Sequence, residues 1–95
     1  MVFRVISIID GNSFQINKGW KWNGKLYRLI KIKGYNLSKN DPISKARLNN
    51  LLLHKEVELG YPESLEYGRL ICSVYIDEVE LNESLLNSKS KNIHL

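Results

Sequence analysis

The hydrophobic and polar pattern opens on Phe3-Arg4-Val5-Ile6-Ser7-Ile8-Ile9, an apolar run rich in β-branched residues and broken by Arg4 and Ser7. This β-branched run ends at Asp10-Gly11, a turn signal, so a strand is predicted from Phe3 to Ile9. Extended character resumes from Ser13 to Ile16, with Phe14 and Ile16 on one face. Two hairpin-type turns follow, Asn17-Lys18-Gly19 and Asn23-Gly24, because Asn and Gly tolerate positive φ. The pattern does not choose between them as the tip. Leu26 to Ile32 is the next strand, and Gly34 ends it.

Beyond this point the period lengthens. Asp41-Pro42 reads as a helix start, with Asp41 as N-cap and Pro42 at the first helical position. Ala46, Leu48, Leu51, Leu52 and Leu53 follow at near-helical spacing. Glu56 to Leu59 alternates as a short strand, and Gly60 to Gly68, with Pro62, reads as a loop. Leu70 to Ile76 is a strand with Leu70, Cys72, Val74 and Ile76 on one face. Val79 to Leu81 pairs back after an Asp77-Glu78 turn. Asn82 caps a last short helix through Leu86. The expectation is a mainly β domain with helices (α+β) over residues 1–87. Its predicted architecture is a five-stranded barrel of the OB type, with one helix after strand 3 and a short C-terminal helix. Residues 88–95 are expected to be a frayed tail.

Composition narrows the class without naming a function. The 95 residues make one domain, and 43% hydrophobic with 25% charged residues is ordinary for a globular chain. Fourteen Lys and Arg against ten Asp and Glu give a net charge of +4 and a pI near 9.3, which mildly favours polyanionic partners. Cys72 is the single cysteine, so an internal disulfide is excluded. Val5 to Ile9 is too short for a membrane span, and no membrane partner is expected. With Met1 as the native start, the expected compartment is the cytoplasm.

The motifs converge on a family. "IIDGNSF" (residues 8–14) is similar to a V-x-D-G-D-T-[FV] opening. "YRLIKIKGYN" sits where an Arg-bearing strand ends in D-[AT]-P-E. "ARLNNLLLHKEVEL" matches a helix and the strand after it. "YGRLICSVYIDEVELNESLL" matches a Y-G-R-x-[LI]-A-x-[VI]-Y closing stretch and its continuation. From about Val5 to Leu86 the chain resembles the staphylococcal-nuclease-like (thermonuclease) domains, OB barrels that hydrolyse DNA and RNA with calcium. The resemblance implies that Arg28 and Arg69 stand at the two phosphate-binding catalytic arginines. Tyr67 stands at a tyrosine that contacts substrate phosphate, Asp10 keeps the first aspartate of the turn, and Ser13 keeps the hydroxyl of its threonine. The chain departs from the pattern at the acids. Asn12 replaces a calcium-ligating aspartate; counted without gaps from Arg28, Lys33 falls at the second one and Asn36 at the general-base glutamate.

Calcium takes six to eight oxygens, several from carboxylates. Here one carboxylate, Asp10, remains as a metal candidate beside an amide and an ammonium. Two unit charges ~4 Å apart at an effective dielectric of 20 interact by roughly 4 kcal/mol, and a divalent ion doubles that. Reversing the sign of one ligand therefore turns a large favourable interaction into an unfavourable one. Asn36 takes no proton from water, and a lost general base costs ~10²–10⁴ in rate. No catalytic residue and no cofactor is assigned on this reading. The expectation is a catalytically degenerate domain that binds nucleic acid, single-stranded DNA or RNA, or another phosphate-bearing ligand through Arg28, Arg69, Tyr67, Lys31 and Lys33. The first alternative is a weak calcium-dependent nuclease in which Asp41 or another acid supplies a ligand. The second is a module that binds a protein partner.

Other residues have plainer readings. Trp20 and Trp22, among Lys18, Lys21 and Lys25, suit base stacking, but cross-strand packing is the favoured reading. His54 is read as a helix-end residue and His94 lies in the tail; neither has a partner at metal-ligand spacing. Cys72, alternating with apolar neighbours, is expected to be a buried thiol. Glu63 and Glu66 are expected to be solvated, with Glu66 among basic neighbours.

Overall fold

The computed structural model describes residues 1–34 and 42–81. Three strands come first, β1 (Val2–Asp10), β2 (Ser13–Trp22) and β3 (Lys25–Ile32), then helix α1 (Pro42–Leu52) and β4 (Glu56–Leu59). The remaining strands are β5 (Ser64–Glu66), β6 (Arg69–Cys72), β7 (Val74–Ile76) and β8 (Val79–Leu81). The architecture is a mainly β sheet with one helix among the described residues. Asn36, the Asp41 cap, the short helix expected at 82–86 and the 88–95 tail lie outside those residues, as does His94.

Two-residue turns fix the hairpins. Asn23-Gly24, with φ of 50° and 83°, joins Trp22 to its register partner Lys25. Both central residues lie in the left-handed region, as a type I′ turn requires. This, and not Asn17-Lys18-Gly19, is the tip of β2–β3. Tyr67-Gly68 (50° and 77°) and Asp77-Glu78 (49° and 70°) close β5–β6 and β7–β8 in the same way.

The core follows the alternation. Phe3, Val5, Phe14, Ile16, Ile30, Ile32, Val57, Leu59, Leu70, Cys72 and Val74 are buried. On α1, Leu48 and Leu52 are fully buried one turn apart, and Ser44 a turn earlier is buried as well. Leu51 and Leu53 are only half-buried and Ala46 is exposed, so the buried stripe of α1 is narrower than its leucine content suggests. The helix packs on β1. The chain leaves it through His54, whose φ of 66° turns its N–H onto the Val5 carbonyl at 2.8 Å.

The sheet differs from the expected five-stranded closed barrel. Eight strands pair in the order β5-β6-β3-β2-β1-β4-β7-β8, an open arrangement in which β3–β6 alone is parallel. Two features of the sequence account for the extra strands. Gly60 to Gly68, expected as loop, contains β5, because the Tyr67-Gly68 turn brings Glu66 opposite Arg69. The expected strand at 70–76 is interrupted at Ser73, whose carbonyl accepts the Gly60 N–H at 2.9 Å. Its first half, β6, pairs with β3, and its second half, β7, pairs with β4.

Candidate nucleic-acid interface

The Asp10–Ser13 turn is built by its own side chains. Asp10 Oδ1 accepts the Asn12 N–H at 3.0 Å and the Ser13 hydroxyl at 2.6 Å. This is the local bonding that makes Asp a turn former. The Asn12 carbonyl in turn accepts the Ile32 N–H at 3.0 Å, tying the turn to the end of β3. Ser13 opposes Lys31 in the β2–β3 register, so the turn sits at the end of β3, among the central strands of the sheet order.

The parallel pairing of β3 with β6 then delivers Arg69 to this turn. Arg69 Nη1 donates to Ser13 Oγ at 3.2 Å, and its guanidinium lies 3.6 Å from Asp10 Oδ2 and 3.7 Å from Glu66 Oε1. Glu66 also accepts from Lys31 Nζ through both carboxylate oxygens at 3.1 Å. The cluster thus holds two cations and two carboxylates, with Arg69 only 8% exposed. Its charges balance. The expectation that Glu66 sits among basic neighbours is met.

Asn12 is buried beside this cluster in sequence, and its Oδ1 is the one buried side-chain polar atom among the described residues without a hydrogen-bond partner. The other sequence candidates fall outside the hydrogen-bonded set. Arg28 is exposed on β3, one residue before the register partner of Arg69, and makes no ion pair among the described residues. It lies opposite the stretch of β2 where the register slips between Gln15 and Trp20. Tyr67 is at the tip of the β5–β6 hairpin and 89% exposed. Lys33, just past β3, is exposed and pairs with Glu63, whose hydrogen bond and charge raise the Lys33 pKa above its ordinary value.

Trp20 and Trp22 take the packing role. Trp20 lies 5.2 Å from the Phe3 ring and Trp22 lies 6.4 Å from Tyr27, edge to face. Cys72 is fully buried, and burial pushes its thiol up to about 12. A concavity of about 820 Å³ is lined by Arg4, Leu51, His54, Glu56, Ile76 and Val79 among others and includes no residue of the cluster. The described residues contain no group of three His, Cys, Asp or Glu placed to share a metal ion, and no helix among them is long and apolar enough to cross a membrane.

The sequence pointed to Asp10, Ser13, Arg69 and Lys31, and these four come together. It did not point to Glu66 as the bridge between Lys31 and Arg69. The available signal was the Tyr67-Gly68 pair, since a two-residue hairpin sets Glu66 directly across from Arg69. Comparison with protein-family models and with curated proteins found no match for this chain.

Proposed function

We propose that this chain is a nucleic-acid-binding barrel of the staphylococcal-nuclease type that holds phosphate and does not cleave it. The observation that carries the reading is the 3.2 Å hydrogen bond from Arg69 to Ser13. It joins the two stretches that most resemble the nuclease pattern, the Asp10–Ser13 turn and the Tyr67–Arg69 segment, although they are far apart in sequence. The barrel is supported by the pairing of 69–76. One run of chain serves β3 with its first half and β4 with its second, which is the kind of pairing a five-stranded barrel would need. Fold by itself assigns no function, so the chemistry of the cluster decides.

A guanidinium carries five N–H donors in a fixed fork suited to phosphate. Arg69 uses Nη1 on Ser13, while its carboxylate neighbours stand off at 3.6 and 3.7 Å. Donors on its outer edge can therefore turn to a phosphate oxygen, with the exposed Arg28 as the second cation. Hydrolysis is disfavoured by the same residues. Asp10 Oδ1 is occupied by the turn, Lys33 is drawn to Glu63, and Asn12 offers an amide where calcium needs a carboxylate.

The test is fluorescence anisotropy of an end-labelled single strand in low salt, followed over time with calcium and then with EDTA. The expected result is a prompt, stable rise in both. Arg28→Ala combined with Arg69→Lys, which keeps charge but removes the fork, is expected to weaken the rise at least tenfold. A slow fall that requires calcium would instead support a weak nuclease. No rise at all would leave a protein-interaction role as the better reading.

A further inference from the structure

Between Asp10 and Asp41 the chain contains no acidic residue, yet it carries Lys18, Lys21, Lys25, Arg28, Lys31, Lys33 and Lys39. The fold separates these cations. Lys31 and Lys33 are matched by Glu66 and Glu63, just as Arg4 is matched by Glu56. Lys18, Lys21, Lys25 and Arg28 stay exposed on the β2–β3 hairpin, and none has an acidic partner among the described residues. The described acids gather elsewhere, with Glu56, Glu58, Asp77, Glu78 and Glu80 on β4, β8 and the β7–β8 turn. Such a separation leaves the β2–β3 hairpin with a positive field of its own.

The hairpin is also braced. Trp20 packs on buried Phe3 and Trp22 on Tyr27, while the Lys18 ammonium sits 5.6 Å over the Phe3 ring. Lys21 pairs across with Leu26, and Lys25 with Trp22. Successive residues of a strand point to opposite faces, so the tip presents a lysine on each face. A rigid arm of this kind loses little conformational freedom when it binds. Its indoles are engaged by the core, which removes them both as stacking platforms for bases and as anchors in a lipid headgroup layer. What it offers is positive charge on both faces of a narrow ribbon, without an acidic partner among the described residues.

We propose that the β2–β3 hairpin is a cationic arm that lies along the phosphate backbone of a nucleic acid, without regard to sequence, outside the Arg69 cluster. The proposal rests on the reading above that the partner is a nucleic acid. Arg28 lies at the base of the arm, one residue before the register partner of Arg69. Binding through the arm releases counterions, so its signature is the salt dependence of affinity.

The experiment compares the parent with Lys21→Gln/Lys25→Gln and with a charge-matched control, Lys45→Gln/Lys55→Gln. All four lysines are exposed and make no ion pair among the described residues, and unchanged circular dichroism and melting serve as the folding check. Anisotropy of a labelled single strand is titrated from 50 to 200 mM salt. Each lost phosphate contact lowers the slope of log affinity against log salt by ~0.7, so the arm variant is expected to lose about 1.4. Its affinity deficit at 50 mM then exceeds that at 200 mM by about sevenfold, while the control follows the parent. Equal losses in both variants would overturn the proposal, because net charge alone would explain them. An arm variant that binds like the parent, while Arg28→Ala/Arg69→Lys does not, would overturn the arm and leave the phosphate site standing. A parent that ignores the strand would remove both readings. Arm-dependent binding to phosphatidylserine vesicles without binding to the strand would also overturn it, in favour of a membrane surface.

Discussion

The claim that the Asp10 turn and Arg69 form one electrostatic unit can be tested by a double-mutant cycle between them. Asp10→Asn removes the charge but keeps an Oδ1 to accept from Asn12 and Ser13, and Arg69→Met removes the guanidinium while filling much of its volume. The pair is separated by 3.6 Å, with side chains 20% and 10% exposed. At an effective dielectric of 20, unit charges at that distance attract by roughly 4–5 kcal/mol. Desolvation offsets much of this, and a net coupling of about 1–2 kcal/mol is expected. Arg4–Glu56 is the internal control, since its charges are 3.7 Å apart but 52% and 65% exposed. An exposed pair at nearly the same distance is expected to couple by only about 0–0.5 kcal/mol. Urea unfolding of the single and double variants, fitted with a common slope, gives both couplings. Arg69→Met alone is expected to cost about 2–3 kcal/mol, because it leaves partly buried Asp10 without its counter-charge. Equal couplings for the two pairs, or additive effects at Asp10 and Arg69, would refute the argument that burial makes this cluster a unit.

Two further outcomes concern the core. Cys72, with its thiol raised to about 12 from an ordinary 9.0, binds its proton more tightly folded than unfolded. The stability this gives is complete below pH 9 and is lost as pH rises towards 12, at about 1.4 kcal/mol per pH unit. Between pH 8 and 10.5 the parent is therefore expected to lose about 2 kcal/mol that Cys72→Ala does not; parallel profiles for the two proteins would contradict this. Phe14, fully buried where β1, β2 and β3 meet, is expected to cost about 3–5 kcal/mol on replacement by Ala. For a chain whose total stability is of order 5–14 kcal/mol, this shows as a large drop in the urea midpoint.

The sequence by itself determined the local geometry of this protein. The apolar pattern placed β1, β3, β4 and the start of β2, because a strand's period of two leaves a half-covered sheet no other way to hide Val5, Phe14, Ile30 or Val57, while the 17–22 half of β2, where a turn was also expected, was not placed. Asp77-Glu78 and Asn23-Gly24 were legible as turns because few residue pairs accept two positive φ angles in succession. The burial of Cys72, the helix-end place of His54 and the packing role of the tryptophans followed from their neighbours in the chain. The strand at 64–66 was not legible, since three residues with little burial carry no periodic signal, and nothing local marks Ser73 as the break between β6 and β7.

Only the tertiary structure decided which charges meet. Arg69 reaches Ser13 because β6 runs parallel to β3 in one particular register, and a shift of one residue would turn its side chain to the opposite face. The same pairing sets Glu66 on Lys31 and Arg69, and brings Glu63 to Lys33, while the cations of the β2–β3 arm have no acidic partner among the described residues. Charge interactions fall with distance in space and ignore distance along the chain. For that reason a list of arginines and lysines could name the candidates, while the sheet register separated the cations that are neutralised from those without an acidic partner among the described residues.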